Sequence, residues 1–304
     1  MREGEVTTKI RSEYAQAVFN LPWLVAQDEG LFAREGIEVE FVRSGGWDKS
    51  RAPISDPLLV DPFWRHKPFE ESAAEFFNAC EWGQIRRSND SEIGGRIIML
   101  RPAMGNQVIL VRGDSPITHP QMLRDKRIAV NFHAGSHYLT LQLLEGFMAR
   151  SEIKPVHLGE ARLRFEALMD GGVDAATLME PYTTLAETQG CRPVIEGFYA
   201  GSEMSAPNVD PETGQAIGRA IRAAVDRISA DKASYVRYLM DDLPEDLRGL
   251  VKPSDFRLSR LNYVYPRPYP VEEFERTRQW LVSWGLVPES ACYEDLVDTR
   301  IAAG

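Results

Sequence analysis

The 304 residues contain only three cysteines, Cys80, Cys191 and Cys292. Their odd number and wide spacing exclude a disulfide framework, and no C-x-x-C pair offers half of a zinc site; a reduced compartment fits this usage. No run of about 18 apolar residues occurs, so no membrane-spanning helix is expected. The start, MREGEVTTKIRSEYAQAVFN, lacks the apolar stretch of roughly 7–15 residues that follows a basic start in a secretory signal. The chain therefore reads as cytoplasmic, or periplasmic if a signal has been removed. Positive charge is also short: 35 Lys and Arg against 45 Asp and Glu leave a net charge of -10. Such a chain is a poor nucleic-acid partner. Glycine-rich phosphate loops, G-x-G-x-x-G, H-E-x-x-H and a serine nucleophile elbow are all missing, so the sequence implies no cofactor and no metal. Internal repeats and low-complexity tracts are absent too.

What is present is an ordinary globular composition, with 43% hydrophobic and 26% charged residues, too apolar for a disordered chain. The length exceeds one comfortable core, which predicts two lobes. The segments alternate strand and helix. Residues 6–10 read as a strand and 21–32 as a helix that Asn20 could cap, with Pro22 in its first turn. Residues 37–42 (IEVEFV) alternate as a second strand, completing a βαβ unit with parallel strands. Residues 44–68 form a long irregular stretch with Gly45, Gly46, Trp47, Phe63, Trp64 and His66. Two readings stand for it: a lid or site wall, or a surface loop packed on its own aromatics.

Further along, 70–77 reads as a short helix and 77–82 as a buried strand; 96–100 and 107–111 are strands. Residues 126–131 (KRIAVN) lead into a helix at 138–149, and 156–158 is a strand. The helix at 161–169 is ended by Gly171-Gly172. A strand at 173–179, a helix at 181–190 and a strand at 192–195 follow. Residues 107–197 thus form one lobe, and 1–106 with 198–304 the other. Helices at 211–228, 232–239 and 271–284 finish the chain.

Three blocks carry a resemblance. Residues 23–42 (WLVAQDEGLFAREGIEVEFV) resemble the first βαβ unit of type II periplasmic-binding-protein folds, in the branch of aliphatic-sulfonate, nitrate and thiamine-pyrimidine-precursor binding proteins. Ser115-Pro116-Ile117 with Leu123 and KRIAV resembles the entry to that fold's second lobe. Residues 167–180 (ALMDGGVDAATLME) are similar to its A-L-x-x-G-x-V-D-A unit. The resemblance implies a two-lobed α/β fold with a ligand cleft between the lobes. The branch also includes cytosolic enzymes: an aryl-sulfinate desulfinase, aromatic decarboxylases and a pyrimidine-precursor synthase. Ala17 stands where the desulfinase-like enzymes place a nucleophilic cysteine, and the cysteine-rich cluster of the synthase is missing. Both departures count against those particular activities.

In such a fold the ligand sits at the carboxyl ends of the strands, which selects the candidates. Residues 131–137 follow a strand and open a helix. Gly135 lets the backbone approach and Ser136 can cap, so the helix start suits a carboxylate, sulfonate or phosphate; the alternative is that Ser136 only caps its own helix. His133 and His137 flank the loop, as a donor or proton shuttle or as satisfied buried histidines, with no third ligand to make them a metal site. Cys80-Glu81-Trp82 ends a strand, where alternation would put Cys80 and Trp82 on one face and Glu81 on the other. Cys80 is either a catalytic thiol or a buried one, and Trp82 a flat wall for a planar ligand. A thiol beside the Glu81 carboxylate is a poor thiolate, and Arg86, Arg87 or His66 could offset that charge. Glu180 touches a ligand amine or caps a helix.

These candidates favour an enzyme acting on a small aromatic or planar organic acid, of lyase or hydrolase type, using Cys80 or His66 with Glu81. The alternatives are a substrate-binding protein of an ABC transporter, whose partner would be a permease, and a cytosolic ligand sensor. In each case the partner is a small-molecule organic anion.

Overall fold

The computed structural model describes residues 7–44, 46–48 and 52–301. Val6, Gly45 and positions 49–51 of the long loop lie outside the described residues. Strand β1 (Thr8–Tyr14) leads into helices α1 (Ala17–Asp28) and α2 (Leu31–Arg34), and then β2 (Ile37–Arg43) returns parallel to β1. The alternating burial of IEVEFVR turns one face of β2 to the core. After the long loop come α3 (Lys67–Glu70), β3 (Phe76–Cys80), α4 (Glu81–Asp90), β4 (Arg96–Leu100) and β5 (Ala103–Val111). The second lobe continues with β6 (Arg127–Val130), α5 (Gly135–Leu144), β7 (Lys154–His157), α6 (Ala161–Met169), β8 (Ala175–Leu178), α7 (Tyr182–Thr188) and β9 (Arg192–Tyr199). Then follow β10 (Gly201–Ser205), α8 (Pro211–Ala230), α9 (Lys232–Asp241), α10 (Glu245–Arg248), β11 (Asn262–Tyr263), α11 (Val271–Ser283) and α12 (Tyr293–Leu296).

The strands form two sheets, ordered β2-β1-β3-β10-β4 and β11-β5-β8-β6-β7, with β9 paired to β5. The chain passes from the first sheet to the second at Arg101-Pro102 and back at Ala200. Residues 128–130 of β6 and the whole of β8 are buried on both faces, as parallel strands covered on both sides must be. Helix α8 is capped by Asp210, whose side chain accepts from Thr213 N at 2.9 Å, with Pro211 in the first turn. Its apolar stripe, Ile217, Ile221, Ala224 and Ile228, packs on α1 and α2. The architecture is mixed α/β. No helix among the described residues is long and apolar enough to cross a membrane.

Three local expectations are corrected. Helix α1 starts at Ala17, because Gln16 is the extended residue before it; Asn20 is therefore inside the helix and caps nothing. Its amide instead closes the β1–α1 turn, accepting from Ala15 N and donating to Glu13 O at 3.3 Å. Pro22 then falls in the helix interior, where its missing N–H would orphan the Val18 carbonyl. The Tyr263 hydroxyl donates to that carbonyl at 3.1 Å, so the C-terminal segment repairs the defect. The apolar run at 77–82 is not all strand: β3 ends at Cys80, and Glu81 and Trp82 begin α4. The helix expected at 70–77 is the single turn α3, after which the chain is irregular up to β3.

Arg260, just before β11, is fully buried. It donates to both oxygens of Glu187 on α7 (2.8 and 2.9 Å) and to Glu196 on β9 (3.1 Å), and Glu180 lies 3.5 Å away. Burial works against its charge, but these carboxylates outweigh it and hold the guanidinium protonated. Arg260→Met leaves three carboxylates facing each other without a cation. The expected loss is about 3 kcal/mol of unfolding free energy in urea, since removing one partner of a buried pair is the costly change; a loss under about 1 kcal/mol refutes this account.

Candidate functional site

The carboxyl ends of β1, β3 and β6 meet in the groove between the sheets. A cavity lies there, with about 530 Å³ of empty volume, open solvent at its mouth included. Ala15 and Gln16 beyond β1, Asn78 to Cys80 at the end of β3, and Ala134 to Ser136 at the start of α5 line it, while Arg101 and Tyr199 close it where the chain changes sheet. Phe19, Trp64, Met179 and Tyr199 supply the apolar wall.

Four arginines also line this cavity: Arg65, Arg87, Arg101 and Arg164. Arg87, Arg101 and Arg164 are no more than 2% exposed. Each guanidinium is anchored to main-chain carbonyls. Arg65 donates to Ala15 O at 2.9 Å, Arg87 to Pro62 O (2.9 Å) and His133 O (2.7 Å), Arg101 to Ala103 O at 2.7 Å, and Arg164 to Thr177 O. Each also keeps a buried nitrogen without a partner: Nε of Arg65 and Arg164, Nη1 of Arg87 and Nη2 of Arg101. None of the four forms an ion pair among the described residues. Burial lowers the Arg65 and Arg87 pKa values and brings Arg164 down to about 9. Native proteins rarely leave buried donors unpaired. All four side chains line one cavity, and an anion is the partner that fits such a set of guanidiniums.

Of the residues expected from sequence, His66, Cys80, Gly135 and Ser136 line the cavity. His66 stacks on Phe77 and its Nδ1 lies 2.6 Å from Glu13, a buried carboxylate that also accepts from Phe69 N and the Ser44 hydroxyl. Burial lowers His66 to about 4, so at neutral pH the neutral ring donates to Glu13. The Cys80 thiol accepts from Gly83 N at 3.4 Å and is pushed up by burial, against the pull of Arg87. The Ser136 hydroxyl does not cap α5; it accepts from Asn131 N at 2.8 Å, and α5 has no side-chain cap. Gly135 is required by crowding, because a Cβ there would collide with the Tyr199 hydroxyl.

The other candidates lie elsewhere. Because α4 begins at Glu81, the expected strand alternation fails, and Glu81 and Trp82 face a second cavity behind Arg101 and Tyr199. Burial raises Glu81 to about 7, and it accepts from Tyr269 at 2.8 Å. Trp82 packs against Tyr199, Tyr138 and Trp280. Asn20 sits behind the cavity in the β1–α1 turn. His133 Nε2 donates to Pro57 O at 2.8 Å, and His137 is buried against Phe132. Glu180 accepts from Thr184 N and faces Arg260. No group of three or more His, Cys, Asp or Glu is placed to hold a metal among the described residues.

Neither a protein-family model nor a curated protein matches this chain by sequence. Solved structures do match. The alkanesulfonate-binding protein SsuA from Xanthomonas axonopodis pv. citri, bound to MOPS, superposes with a TM-score of 0.73 at 16% identity, over 96% of this chain and 98% of that one. The periplasmic aliphatic sulphonate binding protein SsuA from Escherichia coli gives 0.70 at 16% identity, over 96% and 92%. The desulfurization enzyme DSZB gives 0.64 at 17% identity, over 97% of each chain. The chain has the periplasmic-binding-protein fold. At these identities the likeness reaches the two-lobed fold and no further.

Within this fold, sequence reasoning missed Arg65, Arg101, Arg164, Gln107 and Tyr199 as cavity residues, and weighed Arg87 only as a charge beside Cys80. One signal for Arg101 was legible: an arginine between two strands with a proline after it marks the passage between lobes. The long loop answers to both of its readings. Trp47 packs edge-on against Trp64 at 5.0 Å, while Trp64, Arg65 and His66 wall the cavity.

The buried histidines set an acid limit on stability. Burial lowers His66 and His133 to about 4, His157 to about 3, and His137 well below its ordinary 6.5. Below pH 6.5 the unfolded chain binds protons at these histidines that the folded chain refuses, so their contribution to stability falls as pH drops from 6.5 toward 4, while Glu81 and Glu203, raised by burial to about 7, contribute in the opposite sense. Each histidine contributes up to about 1.4 kcal/mol per pH unit in that window. In an NMR titration the ring signals of His66 and His133 are expected to stay unshifted between about pH 7.5 and 5.5; a ring that titrates near the ordinary 6.5 refutes this account.

Proposed function

We propose that this chain binds a small organic anion between its lobes. The observation that carries this is the set of four cavity-lining guanidiniums with unpartnered buried nitrogens and no ion pairs. Binding replaces the lost hydration of these donors with charge-assisted hydrogen bonds, the strongest kind available to arginine. The start of α5 adds its N–H groups and the positive end of its dipole beside the same space. The sulfonate binders among the structural neighbours fit this reading. If the bound solute is handed on, the partner is an ABC permease; if it is sensed, the lobes' closure is the signal.

A second reading is supported by His66, backed by Glu13 at 2.6 Å and lining the cavity that Cys80 also lines. A histidine oriented by a carboxylate can move a proton to or from a bound acid, as a lyase such as a decarboxylase or desulfinase requires. A protonated, buried Cys80 does not favour a thiolate nucleophile. His66→Gln separates the two readings: binding kept with no product in either form is expected for a binding protein, and turnover that His66→Gln abolishes favours the enzyme.

A thermal-shift and calorimetry screen of carboxylates, sulfonates and sulfinates tests the first reading. A ligand at 100 times its Kd stabilises the fold by about 2.7 kcal/mol. Arg164→Met is expected to weaken that response while changing the stability of the unliganded protein by less than about 1 kcal/mol, because relief of a buried cation offsets the lost hydrogen bond. Undiminished binding by the variant refutes the assignment.

A further inference from the structure

Resting on the anion-binding reading of this cavity, the geometry points to a ligand with two anionic groups held apart by a planar or apolar body. The arginines are not gathered at one spot. Arg87 and Arg101 flank Cys80: a Cβ on Gly83 would touch both Arg87 Nη1 and Cys80 Sγ, and Gly201, which pairs with Cys80 across β10 and β3, lies against Arg101 Nε. Arg65 and Arg164 instead flank the β1–α1 turn and Met179. Arg65 is tied to Ala15 O, and Arg164 Nη2 contacts Met179 Sδ at 3.7 Å, the same sulfur that Gln16 reaches. Phe19, Trp64 and Tyr199 lie in the same lining, with Arg101 stacked over Phe19 at 4.3 Å.

The carboxylates near the second pair are engaged elsewhere. Asp242 accepts from Tyr14 and Ala17 N, and Glu160 from Trp47 N. Glu13 is held by His66, Phe69 N and Ser44. A ligand with one anionic group satisfies one arginine pair and leaves the other pair's buried nitrogens without a partner. A ligand with an anionic group at each end satisfies both. The Arg87 and Arg101 end also has the start of α5 within the same lining, which gives that group main-chain donors as well.

Calorimetry on the full chain decides the matter with benzene-1,2-, 1,3- and 1,4-dicarboxylate, glutarate, benzoate, benzenesulfonate and phenylphosphonate as probes. We expect at least one dicarboxylate to bind about 30-fold or more tightly than benzoate and benzenesulfonate, the gain from a second charge-assisted contact. Arg164→Met and Arg101→Met should each bring that dicarboxylate to within about 3-fold of the monoacid. Monoanions that match every dicarboxylate overturn the two-headed ligand and leave the anion-binding reading intact. So does phenylphosphonate as the tightest probe, since both of its charges sit on one group. No binding by any of these anions overturns both.

Discussion

A buried cation must have its charge met, and in this protein that constraint shapes the space between the lobes. Arg65, Arg87, Arg101 and Arg164 are each tied by one or two N–H groups to a main-chain carbonyl, and each keeps another nitrogen free. Carbonyls orient a guanidinium without cancelling its charge. The result is an array whose directions are set by the fold and whose charge is left for a ligand, so little reorganisation remains when one arrives. The carbonyls come from the ends of strands and from loops, so the α/β alternation that builds the two sheets also aims the arginines.

The net charge of -10 does not conflict with this arrangement. Ion pairs such as Arg11 with Glu75 and Arg162 with Glu166 and Asp246 sit toward the outside, where water screens them. Inside the cleft the walls are apolar, screening is weak and four like charges add. A formally acidic chain thus gathers four positive charges around one cavity.

Much of the fold was legible because it rests on local periodicity. Helix α6 runs over the residues its sequence pattern predicts, with Gly171 at φ +74° just beyond it, and β2, β4 and β6 fall where alternation or apolar runs place them. Periodicity misread residues 77–82, because Cys80 and Trp82 either side of Glu81 mimic strand alternation while Cys80 already turns the chain into α4. The site was less legible. Its arginines lie at 65, 87, 101 and 164, on a loop, a helix, a sheet crossing and another helix, far apart in the sequence. Only tertiary folding brings them together. His66, Cys80, Gly135 and Ser136 were within reach because each sits at or near a strand end or a helix start, where the fold's logic already looks for a ligand.

Arg260 shows by contrast what an arginine looks like when its purpose is structural. It is as buried as Arg164, yet its donors reach Glu187 and Glu196 with Glu180 alongside, so the charge is answered within the chain. The same residue type at the same burial differs only in whether a carboxylate has been supplied. At Arg260 the chain supplies carboxylates from α7, β9 and the end of β8, and the C-terminal segment is fastened to the second lobe. At the cavity it supplies none, although Glu160 and Asp242 stand close enough to bias Arg65. Both are bonded instead to main-chain N–H groups, and Asp242 also to a tyrosine hydroxyl. Stability alone would favour pairing the cavity arginines as Arg260 is paired. That the fold engages these carboxylates elsewhere is the physical argument that the missing charge comes from outside the chain.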